Sequence, residues 1–372
     1  MPADRSTPHD RPRVRDRVER AIGRLLLRLP ARALIALAGS EPLVVDGAQL
    51  DPGVHFLRVM HARRVRHGLT EPTIDAGRAR YRRDARAFAG PRTRVGSVRA
   101  LTAAGADGPL GARLYRPRGA TGDMPLLVYY HGGGFVIGDI ETHDEPCRVL
   151  CRYARTSVLS VAYRLAPEHP FPAAVDDALA AWRWARAHAA TLGADPSRIT
   201  IGGDSAGGNL AAVVSLLTAF AEEAPAAQLL VYPAVDPLTA RRSRELFGAG
   251  LFLTMRDVEA FEHAYRGGQP GEANDPRVAP LFARDLCGLP PALVITAGFD
   301  VLRDEGEAYA RALEAAGTPA RLRRFPSLTH GFIHMTDVSP TARRAMRTTA
   351  AEFRALVDSL PSRRAPAGDG AR

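Results

Sequence analysis

The feature that most constrains this chain is an alternation that begins after Pro91. Short apolar runs at Leu126–Tyr130, Val158–Tyr163, Ile199–Ile201, Leu229–Tyr232 and Leu293–Thr296 take turns with helical stretches near 144–155, 173–190, 206–220, 304–316 and 340–357. Runs this short, and apolar on both faces, suit strands buried between two helical layers. Regular strand–helix alternation then builds a mostly parallel sheet covered on both sides, an α/β architecture. Segments 94–101 and 111–116 read as a leading hairpin, and Ala320–Phe325 as a closing strand.

Before Pro91 the texture is helical and basic. Residues 1–99 carry 21 Arg against 10 Asp and Glu, a net of +11, and the remainder carries 29 Arg against 30 acids, so the formal +10 sits at one end. Residues 1–10 are polar and are expected to be disordered. From Val14 to Ala38 the residues Ile22, Leu25, Leu26 and Leu29 recur at helical spacing among Arg17, Arg20, Arg24 and Arg28, until Pro30 breaks or kinks the run. Further helices are expected over 51–67 and 75–88, and a loose tail over 361–372.

A basic amphipathic helix packed on the main body is the favoured reading of this segment, with contact to an anionic lipid surface as a second reading. Ala36-Leu37-Ala38 resembles a signal-peptide cleavage site, but the arginines and Pro30 interrupt the apolar region that secretion requires. No apolar run reaches the roughly 18 residues of a membrane span. No nucleic-acid recognition motif accompanies the charge, so a nucleic-acid partner is not expected.

Every basic side chain is arginine and lysine is absent, which removes a Walker lysine, a Schiff base and any lysine nucleophile. The three cysteines, Cys147, Cys151 and Cys287, form neither a disulfide framework nor a metal-type pair, and reduced thiols fit a cytoplasmic protein.

The sharpest local signal is Gly203-Asp204-Ser205-Ala206-Gly207, between the strand Ile199–Ile201 and a helix opening at Ala206. A tight strand-to-helix turn makes a serine protrude, needs small neighbours, and aims helix N–H groups where negative charge develops. The run His131-Gly132-Gly133-Gly134 follows another strand, and its bare backbone N–H groups suit an oxyanion hole, together with that of Ala206. His131 is read as a loop anchor.

A base C-terminal to the serine is sought in His330, within Leu328-Thr329-His330-Gly331-Phe332, with His334 as a lesser candidate read as a helical surface residue. The acid is sought in Asp300, at the end of a strand, with Asp236 as rival. Asp304 and Glu305 read as first-turn helix acids.

Together these motifs resemble the hormone-sensitive-lipase-like (family IV) bacterial esterases, in the branch whose elbow reads G-D-S-A-G. The likeness rests on His131–Gly134, Tyr163-Arg164-Leu165-Ala166-Pro167-Glu168-His169-Pro170-Phe171-Pro172-Ala173, Gly203–Gly208, Tyr232-Pro233, Asp300–Gly306 and His330-Gly331-Phe332, spanning roughly 93–357. Val301 stands where the family carries proline. The resemblance implies an α/β-hydrolase fold with catalytic Ser205, Asp300 and His330 and an oxyanion hole of Gly133, Gly134 and Ala206. His131, Gly132, Gly203, Asp204 and Gly207 would support them.

It further implies a helical cap from residues 1–92 and an insertion at about 238–275, on a catalytic domain of 93–360. No metal and no organic cofactor are expected. The implied activity is hydrolysis of short- to medium-chain carboxylic esters through an acyl-enzyme. A deacetylase or amidase acting on a small molecule, and a non-catalytic receptor on the same fold, are the alternatives. For partners, a small-molecule ester and a homodimer are the expectations.

Overall fold

The computed structural model describes residues 25–64, 68–268 and 273–360. The expected helix before Leu25 and the expected tail at 361–372 lie outside these.

One eight-stranded sheet organises the molecule. Its strands are β1 (Ser97–Gly105), β2 (Gly108–Arg116), β3 (Met124–Tyr130), β4 (Ser157–Val161), β5 (Ala194–Asp204), β6 (Gln228–Val231), β7 (Ala292–Phe299) and β8 (Ala320–Thr329). They lie side by side in the order β8-β7-β6-β5-β3-β4-β2-β1. The hairpin β1–β2 and the β2–β4 pair are antiparallel, and every other pair is parallel. All residues of β4, β6 and β7 are buried, as strands covered on both faces must be.

The helices are α1 (Ala31–Ala38), α2 (Pro52–Arg64), α3 (Ile74–Phe88), α4 (Asp144–Ala154), α5 (Ala173–Ala187), α6 (Ala189–Leu192), α7 (Ala206–Thr218), α8 (Arg242–Phe247), α9 (Met255–Tyr265), α10 (Arg303–Ala315) and α11 (Pro340–Asp358). Helices α4 and α11 pack together on one face of the sheet, while α5 and α7 pack together on the other, where α10 lies against β7. The α1 helix starts directly after Pro30, whose missing N–H costs nothing at a helix start. Its C-terminus closes on Gly39 in the left-handed region, φ 72°. No described helix is long and apolar enough to cross a membrane.

Two departures from the sequence reading concern the closing strand and the stretch after it. β8 runs four residues beyond Phe325, through a bulge: Phe325 pairs with Ala297 and Thr329 with Phe299, so four steps of β8 span two of β7. Pro326 hides this continuation from a pattern of alternating residues. His334, read as a helical surface residue, lies in a short 3-10 turn, Phe332–His334, and is only 5% exposed. The apolar neighbours Phe332 and Ile333 pull that turn into the core.

Candidate active site

Three strand ends converge. Ser205 follows β5, Asp300 follows β7 and His330 follows β8. Ser205 Oγ lies 3.1 Å from His330 Nε2, and His330 Nδ1 lies 2.9 Å from Asp300 Oδ2. A carboxylate only accepts, so Nδ1 carries the proton and Nε2 presents its lone pair to the serine hydroxyl. Asp300 Oδ1 accepts the Leu302 N–H at 2.9 Å, which fixes the carboxylate, and Asp300 is 1% exposed. The sequence therefore named three residues that the fold brings into one hydrogen-bonded line.

Ser205 has φ 54° and ψ −120°, a strained pair for an L-residue. The turn is too tight for side chains beside it. A Cβ on Gly203 would lie 2.4 Å from the Gly207 backbone, and one on Gly207 would lie 2.0 Å from the Tyr130 carbonyl oxygen. The rival acids serve elsewhere. Asp236 pairs with Arg241 and accepts the N–H groups of Leu238 and Thr239 at 3.0 and 2.9 Å. Asp304 accepts from Ser243 N at 2.8 Å. Glu305 is buried, accepts from the N–H of Val235 at 2.8 Å and pairs with Arg244 at 2.8 Å; burial pushes its carboxyl up to about 7 against the pull of Arg244.

The glycine loop is held at several points. Tyr163 OH donates to the His131 carbonyl at 2.7 Å and its ring stacks on His131 at 4.4 Å, and His131 Nδ1 lies 2.8 Å from the Gly132 carbonyl. Val136 and Ile137 donate to the Gly133 carbonyl at 3.1 and 2.9 Å. Among the described residues, the N–H groups of Gly133 and Gly134 bond to no other backbone group. Ala206 opens α7, where an N–H has no intrahelical partner. All three residues border, with Ser205 and His330, one mainly apolar pocket.

That pocket is roofed from two places. Tyr81 and Phe88 of α3 come from one side, Val258, Phe261 and Tyr265 of α9 from the other. Phe261 is so close to the loop that a Cβ on Gly134 would lie 2.2 Å from its Cγ, and Tyr265 stacks on Phe135 at 3.8 Å. Arg78 of α3 donates from Nε to the Val136 carbonyl at 2.8 Å and grips Glu168 by two bonds of 2.7 Å, which accounts for the acid in the Tyr163–Ala173 motif.

Behind the elbow lies a polar cluster that sequence reasoning missed. Asp204 accepts from Tyr129 OH at 2.7 Å and Gly132 N at 3.0 Å, and His143 Nε2 lies 3.2 Å away. Burial opposes its ionisation, yet His143 and Tyr129 hold its carboxyl below the usual range. His334 Nε2 lies 3.0 Å from Tyr81 OH, and its ring meets His143 edge-on at 4.7 Å. His143, Asp204 and His334 are the one described group whose donor atoms come within 4.8 Å of one another.

A sheet in this order, with Ser, acid and His at the ends of β5, β7 and β8, defines an α/β-hydrolase. Residues 127–334 match the profile of a family described as the alpha/beta hydrolase fold. The chain is 46% identical over 314 residues to the carboxylic ester hydrolase LipN of Mycobacterium tuberculosis, covering 82% of this chain and 83% of that one. It is 38% identical over 272 residues to the ethyl acetate hydrolase of Pseudomonas putida, covering 71% and 84%. Among solved structures, the carboxylesterase EstE1 from a metagenomic library superposes with TM-score 0.73 at 41% identity, over 77% of this chain and 98% of that one. The chain belongs to the hormone-sensitive-lipase-like family of α/β-hydrolases.

Proposed function

We propose that this protein is a serine carboxylesterase acting on short- to medium-chain carboxylic esters. The observation that carries the reading is the line Asp300–His330–Ser205, with spacings of 2.9 and 3.1 Å, ending in a mainly apolar pocket. Ser205 Oγ attacks the ester carbonyl as His330 Nε2 takes its proton, and the C=O electron pair moves onto oxygen. The N–H groups of Gly133, Gly134 and Ala206 receive that oxyanion. Collapse of the tetrahedral adduct breaks the bond to the alcohol, which leaves with the proton from His330. Water then repeats the sequence on the acyl-enzyme and frees the acid. Asp300 keeps the imidazole in the tautomer this requires.

The segment up to residue 92 and the insertion at about 238–275 act as a cap that sets chain length, a reading supported by the lining from α3 and α9. The test is the initial rate on p-nitrophenyl esters from acetate to palmitate, beside Ser205→Ala. We expect a maximum at short chains and loss of about 10⁶ in kcat in the variant. Turnover retained by Ser205→Ala removes the nucleophile, and a folded wild type inert on every ester removes the reaction class.

A further inference from the structure

The proposed reaction makes no use of Tyr81, His334 or His143, yet they form a continuous chain of contacts. Its outer end is the Tyr81 hydroxyl on α3, at the pocket roof, 3.0 Å from His334 Nε2. The His334 ring abuts His143 at 4.7 Å with the planes 81° apart. His143 Nε2 in turn faces Asp204 at 3.2 Å and lies 3.3 Å from Gly132 N. Asp204 Oδ1 holds the same Gly132 N–H at 3.0 Å. Gly132 immediately precedes the two glycines that border the pocket, Gly133 and Gly134.

The inner members of the chain are buried: His143 is 0%, Asp204 2% and His334 5% exposed. In such an environment a hydrogen bond is strong and a displaced partner is costly. One turn earlier on α3, Arg78 reaches the Val136 carbonyl, and Val136 N donates to the Gly133 carbonyl at 3.1 Å. A single helix thus grips both ends of the glycine loop.

We infer that Tyr81, His334 and His143 are positioning residues: through Asp204 and Gly132 they tie the seating of α3 over the pocket to the placement of the Gly133 and Gly134 N–H groups. The inference rests on the reading of those N–H groups as the oxyanion hole. Closure of the roof on a substrate would then tighten the donors at the moment they are needed.

A double-mutant cycle tests it, with kcat and KM measured for Tyr81→Phe, His143→Leu and the double variant on p-nitrophenyl butyrate and its thionoester, and His143→Gln as the conservative partner. Each single variant should lose roughly tenfold in kcat, with KM held within about twofold, since the donors act on the transition state. The double variant should be no more than about twofold worse than the poorer single, because both cut one chain. The wild-type preference for the oxygen ester over the thionoester should shrink, and His143→Gln, which keeps a donor for Asp204, should recover most of the rate.

Losses that multiply in the double variant overturn the inference, as does an effect confined to KM with the oxygen–sulfur preference intact. If His143→Leu does not fold, the cycle of Tyr81→Phe with His334→Leu decides in the same way. Wild type inert on esters overturns the inference together with the proposed function. An active wild type with independent variants overturns the inference alone.

Discussion

His330 and Asp300 each stand one residue past a strand end, and the residues before them, Thr329 and Phe299, are register partners in the β7–β8 pair. The sheet itself therefore sets the 2.9 Å between Nδ1 and Oδ2. Replacing Asp300 with Asn keeps the shape but offers an amide N–H where an acceptor is required, which favours the wrong tautomer. We expect kcat to fall by about 10⁴ with KM little changed. Steady-state kinetics on a p-nitrophenyl ester decide it, and a loss under tenfold would shift the acid role away from Asp300.

Gly207→Ala inverts an ordinary expectation. Glycine to alanine in a helix normally stabilises by up to about 1 kcal/mol. Here the new Cβ would meet the Tyr130 carbonyl oxygen at 2.0 Å, against backbone that cannot swing aside. We expect a loss of about 1–3 kcal/mol or more, read as a lowered unfolding midpoint, with activity abolished by displacement of Ser205.

How much of this was legible in the sequence divides along one physical line. Ser205, Asp300 and His330 were readable because each sits in a local motif at a strand end, where short-range chemistry dictates the neighbours. The elbow glycines were readable for the same reason. Tyr81, His143 and His334 were not, since nothing within a few residues of each says that α3, the loop before α4 and the turn after β8 meet. His334 is buried because its apolar neighbours Phe332 and Ile333 draw the short turn into the core, a signal that a helical surface reading overlooks.

On the proposed cap, Phe261 is the wall expected to limit chain length. Its ring is 7% exposed and closes the pocket over Gly134. Phe261→Ala removes that wall, and we expect the kcat/KM ratio of octanoate to acetate ester to rise about tenfold, in line with a change of one or two methylenes of accommodation. Stability should fall by about 3 kcal/mol. An unchanged ratio would place the size filter elsewhere.

Stability should fall on mild acidification. Burial lowers His131 to about 4 and His334 to about 3, below the roughly 6.5 of an unfolded histidine. Below pH 6.5 the unfolded chain binds protons that these rings refuse, so the stability present above 6.5 is lost as pH falls, by up to about 1.4 kcal/mol per unit for each ring. Glu305 works the other way: raised to about 7, it takes up a proton on folding and offsets one ring. Between pH 6.5 and 5 Glu305 therefore offsets part of the loss that His131 and His334 cause. Urea unfolding should show Glu305→Gln with a steeper decline and His334→Gln with a shallower one; unchanged slopes in both would refute the assignment.

The bulge in β8 has a consequence for how this protein tolerates change. With regular pairing, Ser327 would stand opposite Phe299 and Leu328 would occupy the place that His330 now holds. The two surplus residues act as a spacer, and the Ser327 carbonyl is pinned by Asp51 N at 2.9 Å. What has to be copied faithfully between Phe325 and His330 is a number of residues more than their identity. Point changes at Ser327 leave the count intact, whereas losing one residue puts the pairing out of step and turns the imidazole to the opposite face of the sheet, and losing two is met only by closing the bulge into regular pairing. A residue count, kept in steps of two, is written into the closing edge of the sheet.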